Sequence, residues 1–346
     1  MKKMDNTIYI SKNVNGKGKE YHRNGCLKFK GEYLNGKRNG KGKEYNYNGK
    51  LIVFEGEYLD GKRNGKGKEY YDNGKVKFKG EYLKDKRWEG KGYDNMNNVV
   101  YELNNGKGLI KEYCESGALY FEGEYLDGLK NGKGKEYKFN NLLTYEGEYL
   151  NGKRNGKGKE YDGDDNLKYE GEYLYGKKHG KGKDYCDNGN LIFEGEYLYG
   201  LKIKGKAYHI NGKLEFEGEF RYNRKWNGIG YDENGNKIYE LINGNWKVKE
   251  YLNGKLNFEG EYLNGFKNGK GKEYYFVVLE FEGEYLNEKK NGKCKEYDHY
   301  NGKLIFEGEY LNDYRNGKGK EYDQNGYIIY DGLYLDHARI GNNIIK

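Results

Sequence analysis

Phe54-Glu55-Gly56-Glu57-Tyr58-Leu59-Asp60-Gly61-Lys62-Arg63-Asn64-Gly65-Lys66-Gly67-Lys68-Glu69-Tyr70 recurs, barely altered, along a chain of 346 residues. The glycine of its Gly-Glu-aromatic core falls at Gly31, Gly56, Gly80, Gly123, Gly147, Gly171, Gly195, Gly218, Gly260, Gly283 and Gly308, with a variant at Gly332. Neighbouring copies lie 23 to 25 residues apart, and the two longer gaps (Gly80 to Gly123, Gly218 to Gly260) each fit two units. Degenerate copies centre there, near Glu102 and Glu240. A fixed period of this length describes small stacked units, none able to bury its own apolar face alone. Residues 1–346 therefore read as one repeat array, with residues 1–15 and 336–346 as cap candidates because they depart from the repeat.

Within one unit, Phe54, Gly56 and Tyr58 alternate with Glu55, Glu57 and Leu59, which places the two sets on opposite faces of a strand. Asp60 to Gly65 carries turn chemistry, since Asp-Gly and Asn-Gly reach positive φ at little cost. Lys66 to Tyr70 returns as a second strand, and Asp72-Asn73-Gly74 leads into the next copy. The prediction is an all-β, elongated, single-layer antiparallel meander of about 14–15 hairpins. A helix is excluded, because two or more glycines in every eight residues cost it about 1 kcal/mol apiece. Strand glycines also cost roughly 0.5–1 kcal/mol each, so their repetition needs a packing reason. A bare Cα at Gly56, Gly61, Gly65 or Gly67 leaves room for a ring or a turn. Rings laid on glycine would form a spine in place of a globular core. Glu55 and Glu57 are expected to face Lys66 and Lys68 across the hairpin.

Composition agrees with a folded array. Net charge is only +8, and 41 tyrosines supply apolar area that the aliphatic content lacks. There is no proline to interrupt a ladder of backbone hydrogen bonds. Met1 to Ile10 lacks the apolar stretch of a signal peptide, so a cytoplasmic location is the expectation. Cys26, Cys114, Cys186 and Cys294 show no metal-ligand or redox spacing and read as free thiols.

The spacing aromatic, Gly two later, aromatic two beyond, then Gly three, four and two further on resembles the MORN (membrane occupation and recognition nexus) repeat. It is carried by Phe54, Gly56, Tyr58, Gly61, Gly65 and Gly67, and again by Tyr145, Gly147, Tyr149, Gly152, Gly156 and Gly158. The resemblance implies a twisted β-meander with a groove, scaffolding or tethering at membranes, and no intrinsic catalysis or cofactor. Asp85, Asn223, Glu288 and Asp313 replace one turn glycine. Asp and Asn tolerate left-handed backbone, whereas Glu288 fits it less well. The run Tyr70 to Lys75 is also similar to a bacterial antitoxin-type repeat, although Gly-Lys-Gly favours MORN.

Paired cations recur at the expected hairpin tips: Lys37/Arg38, Lys62/Arg63, Lys86/Arg87, Lys153/Arg154, Lys177/Lys178, Arg224/Lys225 and Lys289/Lys290. Aligned on one edge about 9.5 Å apart, they would form a basic ridge for anionic headgroups or an acidic partner. The competing reading is that charged tips keep a long sheet soluble. Trp88 and Trp226 hold matching places in near-identical segments, each before a degenerate unit, and Trp246 lies within the second of these. They read either as an aromatic contact site for a partner or as packing that bends the array. Five scattered histidines and almost no serine give no catalytic or metal constellation, and no nucleic-acid motif is present.

The leading expectation is a non-enzymatic scaffold that binds a protein segment along the groove. Alternatives are a peripheral tether on anionic phospholipid and an antitoxin- or immunity-like binder. Ile340, Ile344 and Ile345 also suggest an end-to-end homodimer.

Overall fold

A two-residue turn decides the shape of each hairpin. In the computed structural model, the strand Ile52–Leu59 ends at Asp60-Gly61, whose φ angles of 51° and 86° suit a tight hairpin. The return strand already starts at Lys62 and runs to Tyr70. The turn is therefore shorter than the sequence suggested, and Asn64-Gly65 lies inside the second strand. Register shows why: Leu59 pairs with Lys62 and Tyr58 with Arg63, but Gly56 pairs with Gly67. Glu57 thus stands opposite Asn64, Gly65 and Lys66, a bulge of three residues against one that Gly65 enters at φ 96°. The Glu57 carboxylate accepts from the Lys66 backbone N–H at 3.1 Å, so its partner is the bulge and not a lysine ammonium. Glu55 does face Lys68 as expected.

The structure describes residues 8–9, 15–138, 141–252 and 254–341. Among them there is no α-helix, and the strands form three sheets, within each of which neighbours in sequence pair antiparallel. The chain divides into two compact units, 1–177 and 178–346. Most of the cap candidate 1–15, and Ile344 and Ile345, lie outside the described residues.

Glycine stays opposite glycine from strand to strand: Gly42 with Gly56, Gly56 with Gly67, Gly67 with Gly80. A Cβ on Gly67 would fall 2.6 Å from Cζ of Phe54 and 3.1 Å from Tyr82, so two rings rest on that backbone. Phe54 is fully buried and meets Tyr58 and Tyr82 edge-on at 5.7 and 5.0 Å between centroids. Each such edge-on pair adds about 0.5–1.5 kcal/mol to the burial of the ring. The expected spine is present, and its rings link this hairpin to the one before and the one after, through Phe29–Tyr58 and Phe54–Tyr82.

Both degenerate copies break this row. Gly90 pairs with Leu103, and Gly123 with Ile110. Between Val99–Leu103 and Gly108–Tyr113 the ladder shrinks to one bridge, Asn104 to Lys107. The second unit repeats the device with Leu241, Val248 and the bridge Ile242 to Asn245. All four aliphatic residues are buried. Side chains where glycine normally lies hold the strands apart and fill the gap themselves.

The substituted turns survive. Asp85, Asn223 and Asp313 adopt φ of 72°, 65° and 75°, and so does Glu288 at 76°, against expectation. The Asp85 carboxylate accepts from the Arg63 N–H of the preceding hairpin at 2.8 Å, and Asp313 does the same for Lys290 at 2.7 Å. Glu288 donates its backbone N–H to the Lys267 carbonyl at 2.9 Å and pairs with Arg224 at 2.7 Å.

Candidate functional site: a charged aromatic face and an open glycine face

Because the return strand begins at Lys62, the two cations of each pair point to different places. The first stays at the turn: Lys37, Lys62, Lys153, Lys177 and Lys289 are exposed, Lys86 and Arg224 partly so. The second lies inside the strand and turns onto the aromatic face. Arg38, Arg63, Arg87, Arg154, Lys178, Lys225 and Lys290 are each at most 28% exposed along the side chain. The expected ridge therefore loses its inner row, which the fold itself uses.

That inner row makes a ladder of alternating charge. In the first unit, Arg38 joins Glu20 at 2.7 Å to Glu44 at 3.2 Å. Arg63 joins Glu44 at 2.8 Å to Glu69 at 2.9 Å. Arg87 joins Glu69 to Glu112 at 2.9 Å, and so spans the broken ladder beside Leu103. In the second unit, Arg315 bonds Glu296 at 2.7 Å and Glu321 at 2.8 Å. Each cation also covers a ring: Arg63 over Phe54 at 4.1 Å, Arg154 over Tyr145 at 4.0 Å, Lys130 over Phe121 at 3.7 Å.

Burial alone would raise the Glu44 carboxyl, but hydrogen bonds from Arg63 and Tyr58 and the charges of Arg63 and Arg38 hold it below its usual 4.5. Glu20, Glu69, Glu136 and Glu296 shift the same way for the same reasons. Sequence reading missed this ladder. Its signal was there, in a cation two residues after the turn glycine and a glutamate before the closing tyrosine of most units.

The opposite face is open. In the first unit the glycine row Gly31, Gly42, Gly56, Gly67 and Gly80 floors a cleft of about 1380 Å³, flanked by lysines and glutamates from Lys17 to Lys91 and rimmed by Tyr45 and Tyr93. The second unit has a cleft of about 1150 Å³, floored by Gly260, Gly271, Gly283, Gly308 and Gly319 and reaching Trp246. On this face Glu55 bonds Lys43 at 3.0 Å and accepts from the Tyr70 hydroxyl at 2.6 Å.

The tryptophans separate into two kinds. Trp88 is half-buried, and a Cβ on Gly106 would fall 2.9 Å from its ring. Trp226 stands the same way over Gly244, with Arg221 stacked 4.9 Å above it. Both rings cover the turn glycine of a degenerate unit. Trp246, by contrast, is 61% exposed.

Among the described residues, no group of three His, Cys, Asp or Glu stands together as a metal site, and no helix is long and apolar enough to cross a membrane.

A family model described as MORN repeat matches seven segments: 29–50, 54–76, 121–141, 145–166, 169–191, 258–276 and 306–326. No curated protein matches the chain. Among solved structures, it is similar to the crystal structure of TcdB2-TccC3 without its hypervariable C-terminal region, at 10% identity and a TM-score of 0.16. That alignment covers 90% of this chain and 20% of the other. The Photorhabdus luminescens Tc holotoxin pore is similar at 10% identity and a TM-score of 0.17, over 92% and 19%. The chain spans about a fifth of either of these.

Proposed function

The chain belongs to the MORN-repeat family, which is generally non-catalytic and often serves binding, and on that premise we propose that it is a scaffold whose glycine-floored clefts receive a segment of a partner protein. The observation that carries this reading is the asymmetry of the sheet. One face is filled by rings and paired charges. The other offers bare backbone between exposed lysines and glutamates in both units. A partner segment reaches main chain there and meets charged side chains on either side. Trp246, exposed at the end of the second cleft, supplies an aromatic anchor. Trp88 and Trp226 serve packing in this reading.

Attachment to anionic lipid through the hairpin tips has weaker support, because half of the expected cations are committed to internal carboxylates. The test is photo-crosslinking in the native cell with membranes intact. Crosslinking residues placed at Lys66 and Lys270 are expected to capture one protein segment, with the Lys270 adduct lost on Trp246→Ala. A crosslinker at Lys62 is expected to capture none. Lipid adducts at Lys62 together with silence from both clefts would reverse the choice.

A further inference from the structure

Across the open face, lysine and acid alternate from strand to strand almost throughout. In the second unit the row reads Lys249, Glu259, Lys272, Glu282, Lys295, Glu307, Lys320, Asp331, each opposite the next. The later part of the first unit does the same with Lys111, Glu122, Lys135, Glu146 and Lys159. Opposite charges on directly facing strand positions favour the ladder, and like charges there oppose it.

The first cleft departs from this rule twice. Lys19 faces Lys30, which faces Lys43. Lys68 faces Lys79, which faces Lys91. The cause is two residues: Lys30 and Lys79 stand in Phe-Lys-Gly where the type unit has Phe-Glu-Gly. Within that row one carboxylate lies between the triads, Glu55, shared by Lys43 at 3.0 Å and Lys68 at 3.8 Å. Lys91 takes Glu102 at 2.9 Å. Among the described residues, Lys19, Lys30 and Lys79 have no carboxylate within ion-pair distance, and all three are exposed. Nine lysines and four glutamates line this cleft, against eight lysines and seven acids in the second. The two clefts share a fold and differ in charge.

We infer that the first cleft binds an acidic, extended protein segment whose two carboxylate clusters sit on the Lys19/Lys30/Lys43 and Lys68/Lys79/Lys91 triads, an inference that rests on the clefts being partner sites. The triad centres are four strands apart, about 19 Å at ~4.8 Å per strand. Six residues of extended chain cover that distance at ~3.3 Å each. A partner's carboxylates supply the charge that Phe-Lys-Gly withholds, so the mispaired rows are completed only in the complex. Two other polyanions fit less well. A nucleic-acid backbone carries a phosphate at every nucleotide and would set some of them against Glu55 and Glu57, which stand between the triads. A planar bilayer meets the hairpin tips and the cleft rim before the lysines on the floor's flanks.

The test uses the full chain and a fluorescent peptide with a tri-glutamate block at each end and three neutral residues between. The informative variant is Lys30→Glu with Lys79→Glu, which restores the residue found elsewhere in the array. It is expected to weaken peptide binding at least tenfold while the thermal midpoint stays level or rises. Affinity should also fall as salt rises. Equal binding by the variant, no binding by the native chain, or tighter variant-sensitive binding of a single-stranded oligonucleotide or of phosphatidylserine vesicles overturns the inference. The cleft reading itself falls only if crosslinking from Lys66 and Lys270 captures no segment, so the two failures are distinguishable.

Discussion

The Arg63 guanidinium lies 4.1 Å from the centroid of the Phe54 ring, while the ring's far edge rests on the bare backbone of Gly56 and Gly67. One aromatic side chain is thus held between a paired charge and a glycine row. This relationship, repeated from unit to unit, explains why the strand glycines and the cation after the turn recur together.

Adding a methyl group to the glycine row should be costly. An alanine Cβ at Gly67 would lie 2.6 Å from Phe54 and 3.1 Å from Tyr82, and the ring cannot retreat past Arg63. We expect Gly67→Ala to destabilise its region by about 2 kcal/mol or more. Gly163→Ala is the control: its Cβ meets nothing within 4 Å and its φ is ordinary. That change should be neutral or stabilise by about 0.4–1 kcal/mol. Hydrogen exchange resolved by segment reads both, since an array need not unfold in one step.

Removing one charge from the ladder should cost more than reshaping it. Arg63→Leu leaves Glu44 and Glu69 half-buried, each with one cation in place of two, Arg38 and Arg87. A loss of about 3 kcal/mol is expected, in the range for breaking a buried pair. Arg63→Lys should cost about 1 kcal/mol or less, because Lys130 already holds the equivalent place over Phe121 and within 3.6 Å of Glu136. Urea unfolding midpoints of the two variants give the comparison.

Stability should fall at both ends of the pH scale, for different groups. Glu20, Glu44, Glu69, Glu136 and Glu296 have folded pKa values below the usual 4.5. Their contribution is complete above about pH 4.5 and is lost as pH falls through the folded values. Tyr161, Tyr274 and Tyr322 shift the other way, to about 12 from 10.0, through burial first and then their hydrogen bonds to Glu146, Glu259 and Glu307. That contribution is present below pH 10 and disappears as pH rises toward 12. Circular dichroism should show acid unfolding that Glu69→Gln blunts, and tyrosinate absorbance should lag behind that of the urea-unfolded chain.

The four free thiols should react unequally. Cys294 occupies the glycine row opposite Gly283 and is 6% exposed, and burial followed by the Glu296 charge pushes its thiol up to about 12. The Ser116 hydroxyl beside Cys114 lowers that thiol instead. Iodoacetamide on the native chain should label Cys114 ahead of Cys294, with Cys294 reacting only after unfolding. Mass spectrometry of tryptic fragments reads the order.

Much of the molecule was legible from residues alone, because a period of about 24 places the same chemistry at the same point of every hairpin. The all-β meander, the ring-on-glycine spine and the strain-tolerant turns at Asp85 and Asn223 follow from local spacing and backbone preference. The point of turn closure did not follow. Asn64-Gly65 has the signature of a turn, yet closing at Asp60-Gly61 keeps Gly56 opposite Gly67 and turns that pair into a bulge. The shift drew Arg38, Arg63 and Arg154 from the expected outer ridge onto the aromatic face, where glutamates from neighbouring strands pair with them. The pairing of successive hairpins also set Lys30 between Lys19 and Lys43, and Lys79 between Lys68 and Lys91. Which charges meet is a property of strands brought side by side, so sequence named the charges and only the folded sheet chose their partners.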